Sequence, residues 1–269
     1  MLIALKLLGW GLAAYLAVMA ALYFGQARLI YHPDATQVSP GTLGLSRFEE
    51  VPVPTEDGQA TLVTWRAAPR EKRPTLLYFH GNGGTLAARG GRLQALNDAG
   101  FGVWIMAYRG YSGSTGRPSA TANTTDARTL YNRLISDGVS PHSVFVYGES
   151  IGTGVATDLA SKVAIGGLIL DATFTSLADR AAQLYPWAPV RPFLRENYPV
   201  EALIADIDAP LLVMHGARDA VIPSTMGEAV FAAAREPKTL RIFPTGGHSD
   251  LFNKGALAEI IAFAAPQTP

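Results

Sequence analysis

The sequence predicts an α/β fold: a mostly parallel central sheet with helices on both faces. Three observations carry that expectation. Short apolar runs such as "TLLYF" (Thr75 to Phe79), "VWIM" (Val103 to Met106) and "SVFVY" (Ser143 to Tyr147) read as strands buried on both faces. Stretches with helical periodicity separate them. Turn residues and glycines bound nearly every run, giving the βαβ alternation of a parallel sheet.

The chain has 269 residues, enough for one sizeable α/β domain or two small ones. Its formal net charge is zero, which gives no electrostatic ground for a nucleic-acid partner. It contains no cysteine, so disulfides, thiolate metal sites, cysteine nucleophiles and S-acylation are excluded.

Leu7 to Phe24, "LLGWGLAAYLAVMAALYF", carries no charge, with Lys6 before it and Arg28 after. At about 1.5 Å per residue it is just long enough for a hydrocarbon core of roughly 30 Å. Trp10, Tyr15 and Tyr23 suit a membrane interface. A signal peptide has a shorter apolar core of about 7–15 residues, and "GQA" (Gly25 to Ala27) is a weak cleavage site. A helix of a soluble domain would show a polar face, and this one shows none. The expectation is a single-pass anchor over residues 1–30. Lys6 and the amino terminus barely outweigh Arg28, so the membrane side stays open.

Residues 31–47, with "HPDATQVSPGT" (His32 to Thr42), read as a linker, and residues 48–269 as the folded domain. The domain opens with an antiparallel pair, Phe48 to Val53 and Gln59 to Ala67, around the turn "TEDG". After "TLLYF" come a glycine-rich loop and a helix over Leu86 to Asp98. "VWIM" leads into the loop "YRGYSGSTGRPS", then a helix over Thr121 to Asp137 with Ala127, Leu130, Leu134 and Ile135 on one face. "SVFVY" is followed by a helix over Ile151 to Ser161, and "GLIL" (Gly167 to Leu170) is the next strand. "PLLVMHG" (Pro210 to Gly216), a helix around Thr225 to Arg235, "TLRIF" (Thr239 to Phe243) and a helix over Leu251 to Ala264 complete the series. Thr173 to Asp208 breaks the rhythm. With Pro186, Pro189, Pro192 and Pro199 it is too long for an ordinary connection and reads as a small cap over the top of the sheet.

The chemistry begins at "GESIG". G-x-S-x-G between a strand and a helix is a sharp turn that lifts a serine above the sheet. The flanking glycines, Gly148 and Gly152, let strand and helix approach. A plain strand-to-helix turn is the bland alternative, but "VFVY" before and "IGTGVATDLA" after supply the context that the motif requires. Ser150 is therefore the candidate nucleophile, and it needs a base. His32 lies in the linker, His80 closes "LLYF", His142 sits at the far end of its strand, and His215 reads as a packed residue at a strand end. His248, in "PTGGHSDLF", follows the last strand at the carboxyl edge of the sheet, where Ser150 also sits. The base needs an orienting acid. Asp219, in "HGARDAVIP", follows a strand at that edge; Asp171, Asp206 and Asp250 are rivals. The order Ser150, Asp219, His248 is the one expected for this architecture. "HGNGG" (His80 to Gly84) frees backbone N–H groups for an oxyanion, with Ile151 N–H as second donor. A phosphate loop is disfavoured: neither G-x-x-x-x-G-K-[ST] nor G-x-G-x-x-G occurs, and no H-E-x-x-H or other metal cluster. No metal or cofactor is expected.

In this order, "HGNGG", "AYRGYSGSTGRPS", "GESIG", "DATFTS", "HGARDAVIP" and "GGHSDL" resemble the α/β-hydrolase superfamily. More narrowly they resemble its membrane-anchored serine hydrolases, which include protein depalmitoylases and bacterial relatives. The resemblance covers nearly the whole chain, including "RLIYHP". It implies the α/β-hydrolase fold, a triad of Ser150, Asp219 and His248, and oxyanion N–H groups from Asn82 and Ile151. It implies hydrolysis of esters or thioesters. Two departures stand out: Ala107 occupies a position where the family commonly has aspartate, and the depalmitoylases' lipidated N-terminal cysteines are missing. A scaffold without catalysis, a peptidase and an acyltransferase are the alternatives. Leu184, Tyr185, Trp187, Val190, Phe193 and Leu194 crowd the excursion. They pack on the sheet or cover an apolar acyl group, either a small molecule or one borne by a lipid.

Overall fold

The computed structural model describes residues 1–70 and 72–265. It opens with α1 (Leu2–Ile30), rich in leucine and alanine, which favour helix. Among the described residues it is the one helix long and apolar enough to cross a membrane, and its apolar stretch is not buried in the fold.

The elements that follow are β1 (His32–Pro33), β2 (Glu49–Pro54), β3 (Thr61–Ala67), β4 (Thr75–Phe79), β5 (Gly83–Gly84), α2 (Gly90–Asp98) and β6 (Gly102–Met106). Next are α3 (Ala120–Ser136), β7 (Val144–Glu149), α4 (Ile151–Ala160), β8 (Gly167–Asp171), α5 (Leu177–Leu184), α6 (Val190–Phe193) and α7 (Val200–Ile204). Last are β9 (Leu211–Gly216), α8 (Ser224–Ala233), β10 (Lys238–Phe243) and α9 (Ala256–Phe263). The expected elements recur with small shifts at their ends. Two expected helices are each divided. Leu86–Arg89 and Leu251–Lys254 are 3-10 turns, followed by α2 and α9. At the second join Gly255 has φ 105, a left-handed conformation that glycine adopts freely and that ends the turn.

Eight strands form the main sheet, in the order β10-β9-β8-β7-β4-β6-β3-β2. β2 and β3 pair antiparallel, as do β3 and β6, and every other neighbouring pair is parallel. The strands β4, β6, β8 and β9 are buried along their whole length, and β7 everywhere but at Phe145. Helices cover both faces of such a sheet, which is why these strands read as unbroken apolar runs. Leu76, Leu77, Val146, Leu168, Leu170 and Val213 lie at its centre.

Register positions the site. Phe79 pairs with Gly148, Glu149 with Asp171, Asp171 with Met214, and Gly216 with Phe243. The carboxyl ends of β4, β7, β8, β9 and β10 therefore finish on one edge. The chain goes from β4 to β6 on one side and later returns to β7 on the other. The crevice above β4 is thus the switch point where ligands bind in open α/β sheets.

The segment 31–47 lies on the domain. Tyr31 and Leu45 are buried, β1 pairs with β5, and the Ser112 N–H donates to Asp34 O at 2.8 Å. The excursion 173–208 holds α5, α6 and α7. Phe174, Tyr198, Val200 and Ile204 pack in the core, but packing does not explain the middle of the excursion: Leu184, Tyr185, Trp187 and Phe193 are exposed, while Val190 and Leu194 are partly buried. The loop after β6 closes around Ala107 without an aspartate at that position. Ala107 is fully buried, its N–H donates to Val63 O at 2.9 Å, and its carbonyl accepts from Ser114 Oγ at 2.9 Å. Arg109 pins the same loop through both oxygens of Asp126, at 2.8 Å each.

Candidate active site

Ser150 stands between β7 and α4 with φ 53 and ψ −120. A non-glycine residue there is strained, at a cost of about 1–3 kcal/mol, and the surroundings must hold it. Its N–H donates to Asp171 O at 2.8 Å, which ties the turn to β8. The flanking glycines are a steric requirement. A Cβ on Gly148 would lie 2.5 Å from Gly152 O, and one on Gly152 would lie 2.1 Å from Phe79 O. Any side chain at either position would push α4 off the sheet.

Ser150 Oγ lies 2.9 Å from His248 Nε2, and His248 Nδ1 lies 2.8 Å from Asp219 Oδ2. These separations are the hydrogen-bond reach required between nucleophile and base and between base and orienter. With a proton on Nδ1 donated to the carboxylate, Nε2 is left to accept from the serine hydroxyl. The Asp219 side chain is fully buried. Burial pushes its pKa up, but hydrogen bonds from His215, His248 and the Ile222 N–H outweigh that and hold it well below the usual carboxylate range.

The rival acids are engaged elsewhere. Asp171 accepts from Tyr147 Oη at 2.8 Å and faces Arg92 at 3.5 Å; burial raises its pKa. Asp206 is exposed and lies 3.7 Å from Arg235. Asp250 accepts from the Gly247 N–H at 2.7 Å, which fixes the loop carrying His248. Of the other histidines, His32 is exposed in β1 and His142 lies in the turn before β7, at the opposite edge of the sheet from Ser150.

The loop after β4 lies against the serine: a Cβ on Gly81 would sit 3.4 Å from Ser150 Cβ. Three successive carbonyls of this loop are taken by side chains. His80 Nδ1 holds Gly81 O at 2.7 Å, Tyr111 Oη donates to Asn82 O at 2.8 Å, and Arg89 Nη1 donates to Gly83 O at 2.5 Å. Among the described residues, the N–H groups of Asn82 and Ile151 donate to no protein group. That of Ile151 also opens α4, where the helix dipole favours negative charge. Also among the described residues, no cluster of His, Asp and Glu could hold a metal ion.

A profile of the alpha/beta hydrolase fold matches residues 74–199. The uncharacterized protein Rv2307c of Mycobacterium tuberculosis is 37% identical over 236 residues, covering 87% of this chain and 84% of its own. The chain belongs to the α/β-hydrolase family. The lysophosphatidylserine lipase ABHD12 of Danio rerio is 32% identical over 195 residues, which is 64% of this chain and 50% of that protein. Among solved structures, the esterase Pf2001 of Pyrococcus furiosus shares the fold with a TM-score of 0.70 at 17% identity, over 87% of this chain and 95% of that one.

This α/β-hydrolase holds its edge together with residues that the sequence reading passed over. His215 is packed, as expected, but it also touches the acid. Its Nε2 lies 2.9 Å from Ile222 O and 3.3 Å from Asp219 Oδ2, so one N–H serves both ends of the acid's loop. The i, i+4 spacing of His215 and Asp219 past a strand end was the available signal. Beneath the serine lies a buried ionic cluster. Glu149 sits 3.2 Å from Arg92 and 3.6 Å from Arg89, and accepts from Tyr78 Oη. Burial raises the Glu149 pKa, yet Arg92 and Arg89 hold it down at about 2. Arg89 thus links the carboxylate beside Ser150 to the Gly83 carbonyl of the Gly81–Gly84 loop. His80 stays neutral: burial, then the charge of Arg89, depresses it to about 3.

Proposed function

We propose that this α/β-hydrolase is a serine hydrolase that cleaves carboxylic ester or thioester bonds through an acyl-enzyme. The observation that carries the reading is the unbroken hydrogen-bonded chain Ser150–His248–Asp219 at the carboxyl edge of the sheet. His248 Nε2 takes the proton of Ser150 as Oγ attacks the carbonyl carbon. The carbonyl oxygen becomes an oxyanion and accepts from the N–H groups of Asn82 and Ile151. As the tetrahedral intermediate collapses, His248 gives the proton to the leaving alcohol or thiol. Water then enters, His248 takes its proton, and attack on the acyl carbon releases the acid and restores Ser150. Asp219 keeps the imidazole proton on Nδ1 and balances its positive charge while Nε2 is protonated.

An apolar acyl group fits best. The excursion beside the site is rich in large apolar side chains, and Arg180 Nε ties α5 to the loop of Asp219 through Val221 O at 2.6 Å. The Danio rerio relative is named for a lipid ester, and a substrate of that kind suits this chain. α1 remains attached in this reading and holds the domain at a membrane. It continues without a break through Ile30, and the buried Gln26 near its end docks on the domain.

The test is turnover of p-nitrophenyl esters from acetate to decanoate by the wild type and Ser150→Ala. Removing the nucleophile should lower hydrolysis by about 10⁴-fold or more. Turnover by Ser150→Ala within tenfold of wild type would refute the proposal.

A further inference from the structure

The outward face of the excursion is largely apolar; Arg191 is also exposed there and pairs with Asp179 at 2.8 Å. Leu184, Tyr185, Trp187 and Phe193 each expose more than half of their surface. A group of large apolar side chains in water marks an interaction surface. Here the structure also shows what lies beside it.

The excursion is docked along α1. The Tyr23 ring meets Phe193 edge-on at 6.4 Å, and the Arg195 guanidinium lies 4.7 Å over Tyr23. Gln26 Oε1 accepts from the N–H groups of Arg195 at 2.7 Å and Glu196 at 3.2 Å. Nearer the amino terminus, Tyr15 Oη donates to Trp187 O at 3.5 Å. The exposed apolar tip therefore continues the exposed apolar wall of α1, which includes Leu8, Leu12 and Leu16.

Length sets the depth. The uncharged stretch from Leu7 to Phe24, with Lys6 before it, rises about 27 Å at ~1.5 Å per residue. A hydrocarbon core needs roughly 30 Å, so the whole of that stretch is used to cross it. The boundary of the core then falls beside Tyr23, where Arg195 sits with its charge exposed, suited to lipid headgroups. Tyr15, and Trp187 with it, lies about 12 Å inside that boundary.

We infer that the tip of the excursion, residues 184–193, is immersed in the membrane leaflet from which α1 emerges, with its four large side chains in lipid. This rests on the reading that α1 stays attached and crosses the bilayer. It gives that reading a consequence: an acyl group in the leaflet meets the excursion without passing through water. The excursion is tied in turn to the loop of Asp219.

Depth-resolved fluorescence quenching tests it, with full-length protein in phosphatidylcholine vesicles containing lipids brominated at defined acyl positions. Trp65 and Trp104 are buried and form a constant background, which a Trp10→Phe/Trp187→Phe double variant supplies for subtraction. Trp10→Phe then reports Trp187, and Trp187→Phe reports Trp10. Unchanged melting temperatures verify the fold. The expected result is loss of most of the Trp187 emission, strongest with bromines in the lower half of the acyl chain, together with quenching of Trp10. Quenching of Trp10 alone would leave α1 in the bilayer and overturn the immersion of the tip. Failure of both would overturn the inference along with the anchor beneath it. Should Trp187 be shielded by a second copy instead, its emission would stay unquenched and the detergent-solubilised protein would sediment as a dimer, which also refutes immersion. None of these readouts depends on turnover, so they stand apart from the hydrolase proposal.

Discussion

Gly152→Ala probes the elbow at its tightest point. The added Cβ would lie 2.1 Å from Phe79 O, 2.7 Å from Phe79 C and 2.9 Å from His80 O. All three atoms are backbone of β4 or of the residue after it, and cannot swing aside. Relief to an ordinary contact of about 3.4 Å requires α4 and β4 to part by roughly 1.3 Å. α4 carries the Ile151 N–H, and β4 leads into the Gly81–Gly84 loop. Their separation therefore spreads the two N–H groups proposed to hold the oxyanion and shifts Ser150 from His248. A misplacement of that size costs about 10²-fold in rate, and loss of one donor alone costs about 10²–10³-fold. Overpacking should also lower stability by about 1–3 kcal/mol. The assay is kcat/KM on p-nitrophenyl butyrate, with a urea unfolding curve for each protein. Gly41→Ala is the control, since nothing lies within 4 Å of a Cβ placed there. If Gly152→Ala matches wild type in both rate and unfolding midpoint, the steric account of the elbow is wrong.

Three further outcomes follow from the site and its surroundings. Asp219→Asn should lower kcat by about 10³–10⁴-fold, because it disturbs the His248 tautomer, whereas Asp171→Asn should mainly lower stability; steady-state kinetics with the reverse ranking would move the acid to β8. His80 is neutral when folded, with a pKa near 3, while the unfolded chain takes up that proton below about 6.5, so its contribution is lost as pH falls. Urea unfolding should show this as about 2 kcal/mol of the stability lost between pH 7 and pH 5, absent in His80→Asn; an unchanged pH dependence in that variant contradicts the assignment. Octanoyl esters should be turned over more efficiently than acetyl esters, with Trp187→Ala weakening the octanoyl reaction more; equal efficiencies and equal losses would make the excursion a structural cover only.

Much of this molecule is legible in its sequence because it depends on local pattern. The runs "TLLYF", "VWIM" and "GLIL" are apolar throughout because helices cover both faces of the strands, so they could be placed without knowing their neighbours. Ser150, Asp219 and His248 could be singled out because each follows a strand, and parallel strands bring their carboxyl ends to one edge. What escaped depends on tertiary structure. Arg89 and Arg92 flank two glycines in a helical stretch, where no local pattern marks them as buried; only the fold buries them around Glu149. The second contact of His215, to the acid, arises because the loop after β9 folds back on the strand end. Hydropathy located the apolar excursion but carried no information on direction, and its largest side chains point outward along α1.

The central claim is that Ser150 is the nucleophile of a hydrolase, and a covalent adduct tests it most directly. The purified full-length protein is treated with a fluorophosphonate, digested and examined by mass spectrometry, alongside Ser150→Ala and His248→Ala. The account predicts one adduct, on the peptide containing Ser150, lost in Ser150→Ala and formed far more slowly in His248→Ala. Labelling of Ser150→Ala equal to that of wild type, or an adduct at another residue, would contradict it.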